Sequence, residues 1–148
     1  VDDRGFERSP HQMAFHSSFE RCVSRVIYKK DWGTARPAIM RHNGWAKCSS
    51  EVLISTPRRF GKTFSIAIFA ACLALSFGCE IVVFSPARRA SRKLLERMVE
   101  FIRLLDCDSN IVEFNQEQCR VTSYNGKSSL IRSFPSKVGV RIAKDPNP

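Results

Sequence analysis

The feature that most limits what this chain can fold into is an uncharged run, Phe64–Phe77, FSIAIFAACLALSF, 14 residues long. A helix with no charged face has to be covered on most sides. The run is short of the roughly 20 residues that a membrane crossing takes. Gly61-Lys62-Thr63 precedes it, and Gly78 and the β-branched segment Glu80–Ser85, EIVVFS, follow it. These flanks predict a buried helix over Thr63–Phe77, closed by Gly78 at a C′ position and followed by a strand. Upstream, Glu51–Ser55, EVLIS, reads as a short buried strand, and Thr56–Lys62 as the turn that joins it to the helix. Downstream, Pro86 fits the first turn of a further helix reaching about Asp106. Leu94, Leu95, Met98, Ile102 and Leu105 form its apolar stripe. Strand, helix, strand and helix in that order predict a parallel sheet covered by helices.

The remainder is less regular. Residues 1–17 are polar and read as an irregular lead-in. Residues 18–30 place Phe19, Cys22, Val23, Val26 and Ile27 at helical spacing beside a basic face. Asp31–Lys47, with Gly33, Pro37, Asn43 and Gly44, reads as broken helix and turn. Ile111–Phe114, Arg120–Ser123 and Ser128–Phe134 read as short strands, the last two joined by an Asn125-Gly126 hairpin signal. Ala143–Pro148 reads as a turn or frayed end. The division predicted is a lead-in over residues 1–50 and an α/β domain over 51–148.

Charge points to a partner. The 148 residues carry a formal net charge of +10, with an apolar fraction of 43% that is enough for a core. The excess is +4 in residues 1–50, +5 in 51–105 and +1 in 106–148. A basic surface favours acidic partners, nucleic acid first, although a merely soluble surface would look the same. The basic N-terminal end of the 87–106 helix, Arg88, Arg89, Arg92 and Lys93, is a fair contact site for a nucleic-acid backbone, or else a solvated helix face. The six cysteines make no CxxC pair, and His11, His16 and His42 lack zinc-finger spacing. Reduced thiols in an intracellular protein are the expectation. The N-terminus carries no apolar signal core, and no membrane partner is expected.

Chemistry concentrates in Thr56-Pro57-Arg58-Arg59-Phe60-Gly61-Lys62-Thr63. A phosphate-binding loop follows GxxxxGK[ST] between a strand and a helix. Here Thr56 stands where the first glycine would be, and the Gly-Lys-Thr end is intact. Gly61 lets the backbone turn without a Cβ between it and a phosphate. The next amides and the helix N-terminus offer N–H donors and positive dipole. Lys62 is placed for the β- and γ-phosphates of ATP, and Thr63 for Mg²⁺. Arg58 and Arg59 exceed what a nucleotide loop needs; a guanidinium there can brace a γ-phosphate, or can point to solvent or an acidic neighbour.

TPRRFGKT resembles the degenerate phosphate loop of the large subunit of viral DNA-packaging terminases, in tailed phages and especially herpesviruses. IVVFSPARRASRKLLERMVEFI and RVTSYNGKSSLIRSFPSKVGVRI are similar to the segments that follow in those motors, so the resemblance spans about residues 51–142. It implies a P-loop NTPase-like three-layer α/β sandwich with a mostly parallel sheet and a β-hairpin near its end. Lys62 and Thr63 carry over as phosphate and Mg²⁺ contacts, Arg58 as the loop arginine of the phage proteins, and Arg59 as the second arginine of the herpesvirus-like version. The resemblance further implies ATP hydrolysis coupled to moving double-stranded DNA, a homo-oligomeric ring with portal and small-subunit partners, and a nuclease domain after the ATPase. The location it implies is the host nucleus for a herpesvirus-like protein and the cytoplasm for a phage-like one.

The sequence departs from that pattern twice. No apolar strand ending in Asp-Glu occurs, and such a strand supplies the Mg²⁺-organising Asp and water-activating Glu. The adenine-side glutamine has only Gln12 as a counterpart, about 40 residues upstream of the loop. The chain therefore reads as the N-terminal part of a larger ATPase, weak in hydrolysis by itself. A helicase-like ATPase fragment and a non-enzymatic basic nucleic-acid-binding module are the competing readings.

Overall fold

The computed structural model describes Gly5, residues 7–105 and residues 107–135. The fold is mixed α/β, and it divides into two compact units, one up to Cys72 and one from Leu73.

The first unit is helical. Helix α1, Pro10–Tyr28, opens on a capping box. Gln12 N donates to Ser9 Oγ at 3.2 Å, and Ser9 N donates to Gln12 Oε1 at 3.0 Å. With Pro10 in the first turn, Ser-Pro-His-Gln is a complete helix start. The irregular lead-in expected over residues 1–17 is thus helix from Pro10 onward. After one 3-10 turn, Lys29–Asp31, helix α2 covers Trp32–Asn43 and runs through Pro37. That corrects the expected broken helix: the N–H that Pro37 lacks would have bonded only to the carbonyl of Gly33, one turn earlier. Gly44 closes α2 at φ +65° while Trp45 N reaches back to Met40 O at 2.9 Å. Helix α3, Lys62–Ser76, matches the predicted apolar helix to within a residue at each end. Phe19 stacks on Phe69 of α3 at 5.1 Å and meets Phe15 edge-on at 4.9 Å. Trp45 is buried, with the Arg21 guanidinium 5.6 Å from its ring centre.

The strand expected at Glu51–Ser55 does not form: the segment has no strand assignment, and Leu53 is 96% exposed. A strand persists where a neighbour takes its backbone N–H and C=O groups, and among the described residues none pairs with it. The expected strand–helix–strand–helix order therefore lacks its first member.

The second unit comprises, among the described residues, the last turn of α3 from Leu73, a four-stranded sheet and one long helix. Strands β1 (Glu80–Ser85), β2 (Ile111–Phe114), β3 (Gln118–Thr122) and β4 (Ser128–Pro135) lie in the order β1-β4-β3-β2. Only β1 and β4 are parallel; β2–β3 and β3–β4 are antiparallel. The mostly parallel sheet is corrected to a mixed one, because connections as short as Tyr124–Lys127 can only turn the chain back on itself. Helix α4, Arg88–Leu104, buries Leu94, Leu95, Met98, Val99, Phe101 and Ile102. With Cys119, Val121 and Ile131 they make this unit's core. The other face of the sheet leaves Phe84 69% exposed, stacked on Phe134 at 5.8 Å, so this unit has two layers among the described residues, not three.

Two smaller expectations also change. Gly78 is not among the left-handed glycines, so it is no C′ cap of the expected kind. It is needed for space, because a Cβ there would sit 2.4 Å from Lys127 Cβ. Pro86 lies outside α4, whose N-cap is Ala87. The hairpin signal holds: Gly126 takes φ +76°, and Ser123 N donates to Lys127 O at 2.8 Å. The expected frayed end, Ala143–Pro148, lies outside the described residues. Cys22, Cys48, Cys107 and Cys119 are free thiols, and among the described residues no helix is long and apolar enough to cross a membrane.

Candidate nucleotide-binding site

The loop Thr56–Thr63 lies within the first unit. Arg59 takes φ +66° and Gly61 φ +82°, so the chain makes two left-handed steps before entering α3 at Lys62. For glycine that step carries little penalty, whereas an L residue such as Arg59 adopts it against a cost of about 1–2 kcal/mol. The helix then starts cleanly, with Ser65 N donating to Gly61 O at 2.9 Å. The first amides of a helix have no acceptor within it. Here those positions include Lys62 and Thr63, both exposed. A Cβ built on Gly61 meets nothing within 4 Å, so the space beside the turn is open to a ligand.

Cations gather at this turn. Lys62 Nζ donates to Thr56 O at 3.4 Å, a long bond across the loop's own mouth. Arg58 and Arg59 are exposed, and neither forms an ion pair among the described residues, so the acidic neighbour that would have given them a structural role is not found. Thr56 Oγ1 is buried without a hydrogen-bond partner, an orphaned group of the kind that a ligand or water satisfies. Helix N-terminus, open glycine turn and three cations suit a polyphosphate. For Mg²⁺ the loop offers the Thr63 hydroxyl. Among the described residues no group of three or more His, Cys, Asp or Glu could hold a metal. A Mg²⁺ here would take its remaining oxygens from phosphates and water, as that ion commonly does.

Helix α1 braces the loop, a role the sequence did not reveal. His16 Nε2 donates to Ser65 O at 2.8 Å, and Arg8 donates to His16 Nδ1 at 3.1 Å, which together fix the neutral Nε2–H tautomer. His11 meets Phe60 edge-on at 6.1 Å. Histidines spaced five apart on one helix were the available signal, hidden because their partners lie about 50 residues away. Gln12, considered for the adenine side, is committed to the α1 capping box. Pro57 is exposed and Phe60 half-buried.

The proposed DNA-contacting cations belong to the other unit, on the first two turns of α4. Arg88 pairs with Glu117, and Arg92 with Glu96 at 3.0 Å. Arg89 and Lys93 are exposed without an ion-pair partner among the described residues. No described strand ends in an acidic pair; the strand carboxylates are Glu80 and Glu113. No family model, curated protein or solved structure matches the chain.

Proposed function

We propose that this chain is the ATP-binding portion of a DNA-packaging motor of the terminase large-subunit type, within a P-loop NTPase-like domain. The observation that carries the reading is the turn at Gly61-Lys62-Thr63. A left-handed glycine feeds the open N-terminus of α3, and Arg58, Arg59 and Lys62 stand around it without carboxylate partners among the described residues. Lys62 exchanges its long bond to Thr56 O for phosphate oxygens. The loop amides hold the same phosphates, and Thr63 lends its hydroxyl to Mg²⁺, which when bound neutralises charge on the β- and γ-phosphates. Arg58 and Arg59 would stabilise charge on a γ-phosphate held at the turn. In the longer protein this binding drives hydrolysis and translocation of double-stranded DNA by a homo-oligomeric ring docked on portal and small-subunit partners. Arg89 and Lys93 supply phosphate-backbone contacts.

The test separates this reading from a basic nucleic-acid-binding module. Lys62→Ala is expected to weaken Mg·ATP binding by about ten- to hundredfold while leaving salt-sensitive duplex binding in place. Loss of duplex binding alone, with ATP bound as before, would assign the loop to nucleic-acid phosphate and refute the motor reading.

A further inference from the structure

A recess that shares no lining residue with the loop lies within the helical unit. The end of α1, the start of α2 and residues 48–51 enclose a cleft of about 560 Å³. Arg25, Trp32, Arg36, Cys48, Ser50 and Glu51 are among the residues lining it. That volume falls in the range of small-molecule sites. Arg25 forms no ion pair among the described residues, and Arg36 only donates to Met40 Sδ at 3.3 Å. Glu51 shares the wall yet neutralises neither. Two guanidinium groups on one recess present paired donors whose geometry matches phosphate oxygens. Trp32 is half-buried in the wall, its ring tilted on Tyr28 at 6.3 Å, which limits its freedom.

We propose that this cleft binds a nucleotide unit, with its phosphate held by Arg25 and Arg36 and its base laid against Trp32. Base stacking on an aromatic face is tolerant of sequence, and the arginines supply the backbone contact. The Ser50 hydroxyl is a further phosphate donor, and the Glu51 carboxylate an acceptor for a base amino group. Lys29, Lys30 and Arg41, exposed along the same stretch of chain, extend the positive field beyond one phosphate. A free nucleotide and a nucleotide within an unpaired strand share this chemistry. The cleft shares no lining residue with the Gly61 turn, and the proposal does not rest on the function proposed for that turn.

Trp32 and Trp45 are the two tryptophans, so Trp45→Phe leaves Trp32 as the sole reporter. In that background we expect AMP and a short single-stranded oligoadenylate to quench Trp32 fluorescence. Arg25→Gln with Arg36→Gln should weaken both by about tenfold or more, and Lys62→Ala should change neither. Tighter binding of the oligomer than of AMP identifies a strand as the ligand; equal binding identifies the free nucleotide. The proposal is overturned by absence of quenching, by quenching that Lys62→Ala removes, or by inorganic phosphate binding as tightly as AMP. Should Trp45→Phe disturb the fold, calorimetric titration of wild type against Trp32→Ala gives the same decision: equal affinity overturns the proposal, and a loss of about tenfold supports it.

Discussion

Substituting Gly61 by alanine separates what the loop's glycine does for the fold from what it does for a ligand. At φ +82° an L residue is strained, and the added Cβ touches nothing within 4 Å, so backbone conformation is the only source of cost in the free protein. Left-handed strain costs about 1–2 kcal/mol. The smaller entropy of an unfolded alanine chain returns about 0.4–1 kcal/mol, leaving a net loss on the order of 0.5–1 kcal/mol. Gly44, at φ +65° and equally open, provides the control, since the same reasoning gives the same loss at the end of α2. The two variants should therefore shift the urea midpoint alike. They should part on Mg·ATP: the Gly61→Ala methyl occupies the space where a phosphate would approach the turn, and affinity should fall by about tenfold, or about 1.4 kcal/mol. Gly44→Ala should bind as wild type. If Gly61→Ala and Gly44→Ala bind Mg·ATP equally, the open turn at Gly61 is not a ligand cradle.

Ser129 Oγ sits 2.8 Å from Ala74 O and 2.7 Å from Phe77 O and accepts from Cys79 N, so Ser129→Ala strands buried groups at the end of α3; chemical denaturation should show a loss of about 1–3 kcal/mol. Burial pushes the Cys119 thiol up to about 11, opposed by Arg103 and reinforced by Glu113. At pH 8 its alkylation should thus lag an unfolded control by about a hundredfold. Because the folded value is the raised one, this thiol's share of stability is intact below its ordinary value near 9 and fades as pH rises towards 11. Cys119→Ala should flatten that fall in a pH series of melts. Replacing Arg89 and Lys93 together by glutamine should lower duplex affinity and reduce the log–log salt slope by about 2, measured by fluorescence anisotropy.

Local signals carried much of the fold. EIVVFS and the α4 stripe were legible because each buries its own pattern: Leu94, Leu95, Met98 and Ile102 face one core, and β1 needs only β4 beside it. Ser9-Pro10-His11-Gln12 is equally local, a capping box that starts α1 inside the polar stretch expected to be irregular. Non-local features were not legible. EVLIS has the composition of a strand, yet pairing depends on a neighbour that no property of those five residues specifies. Gly78 resembles a helix cap, and its real constraint is Lys127, far along the chain. Of the candidate site, the turn at Gly61 and the helix start at Lys62 could be read directly, since both follow from local backbone conformation. The brace from His16 to Ser65 O could not, because it joins residues 49 apart in sequence. Ion pairing likewise divides the basic cluster of α4: Arg88 and Arg92 meet Glu117 and Glu96, whereas Arg89 and Lys93 have no ion-pair partner among the described residues.

The central claim is that the Gly61-Lys62-Thr63 turn is a nucleotide site, and calorimetric titration of Mg·ATP into wild type and Lys62→Ala tests it most directly. The Lys62 side chain is exposed, and among the described residues its one hydrogen bond is from Nζ to Thr56 O at 3.4 Å, so its removal should leave the fold intact. Loss of a charge-assisted contact of about 1.5–3 kcal/mol corresponds to about a ten- to hundredfold drop in affinity. Saturable Mg·ATP binding by wild type that weakens by that factor in Lys62→Ala is the result predicted. Equal binding by both proteins, or no binding by a folded wild type, would contradict it.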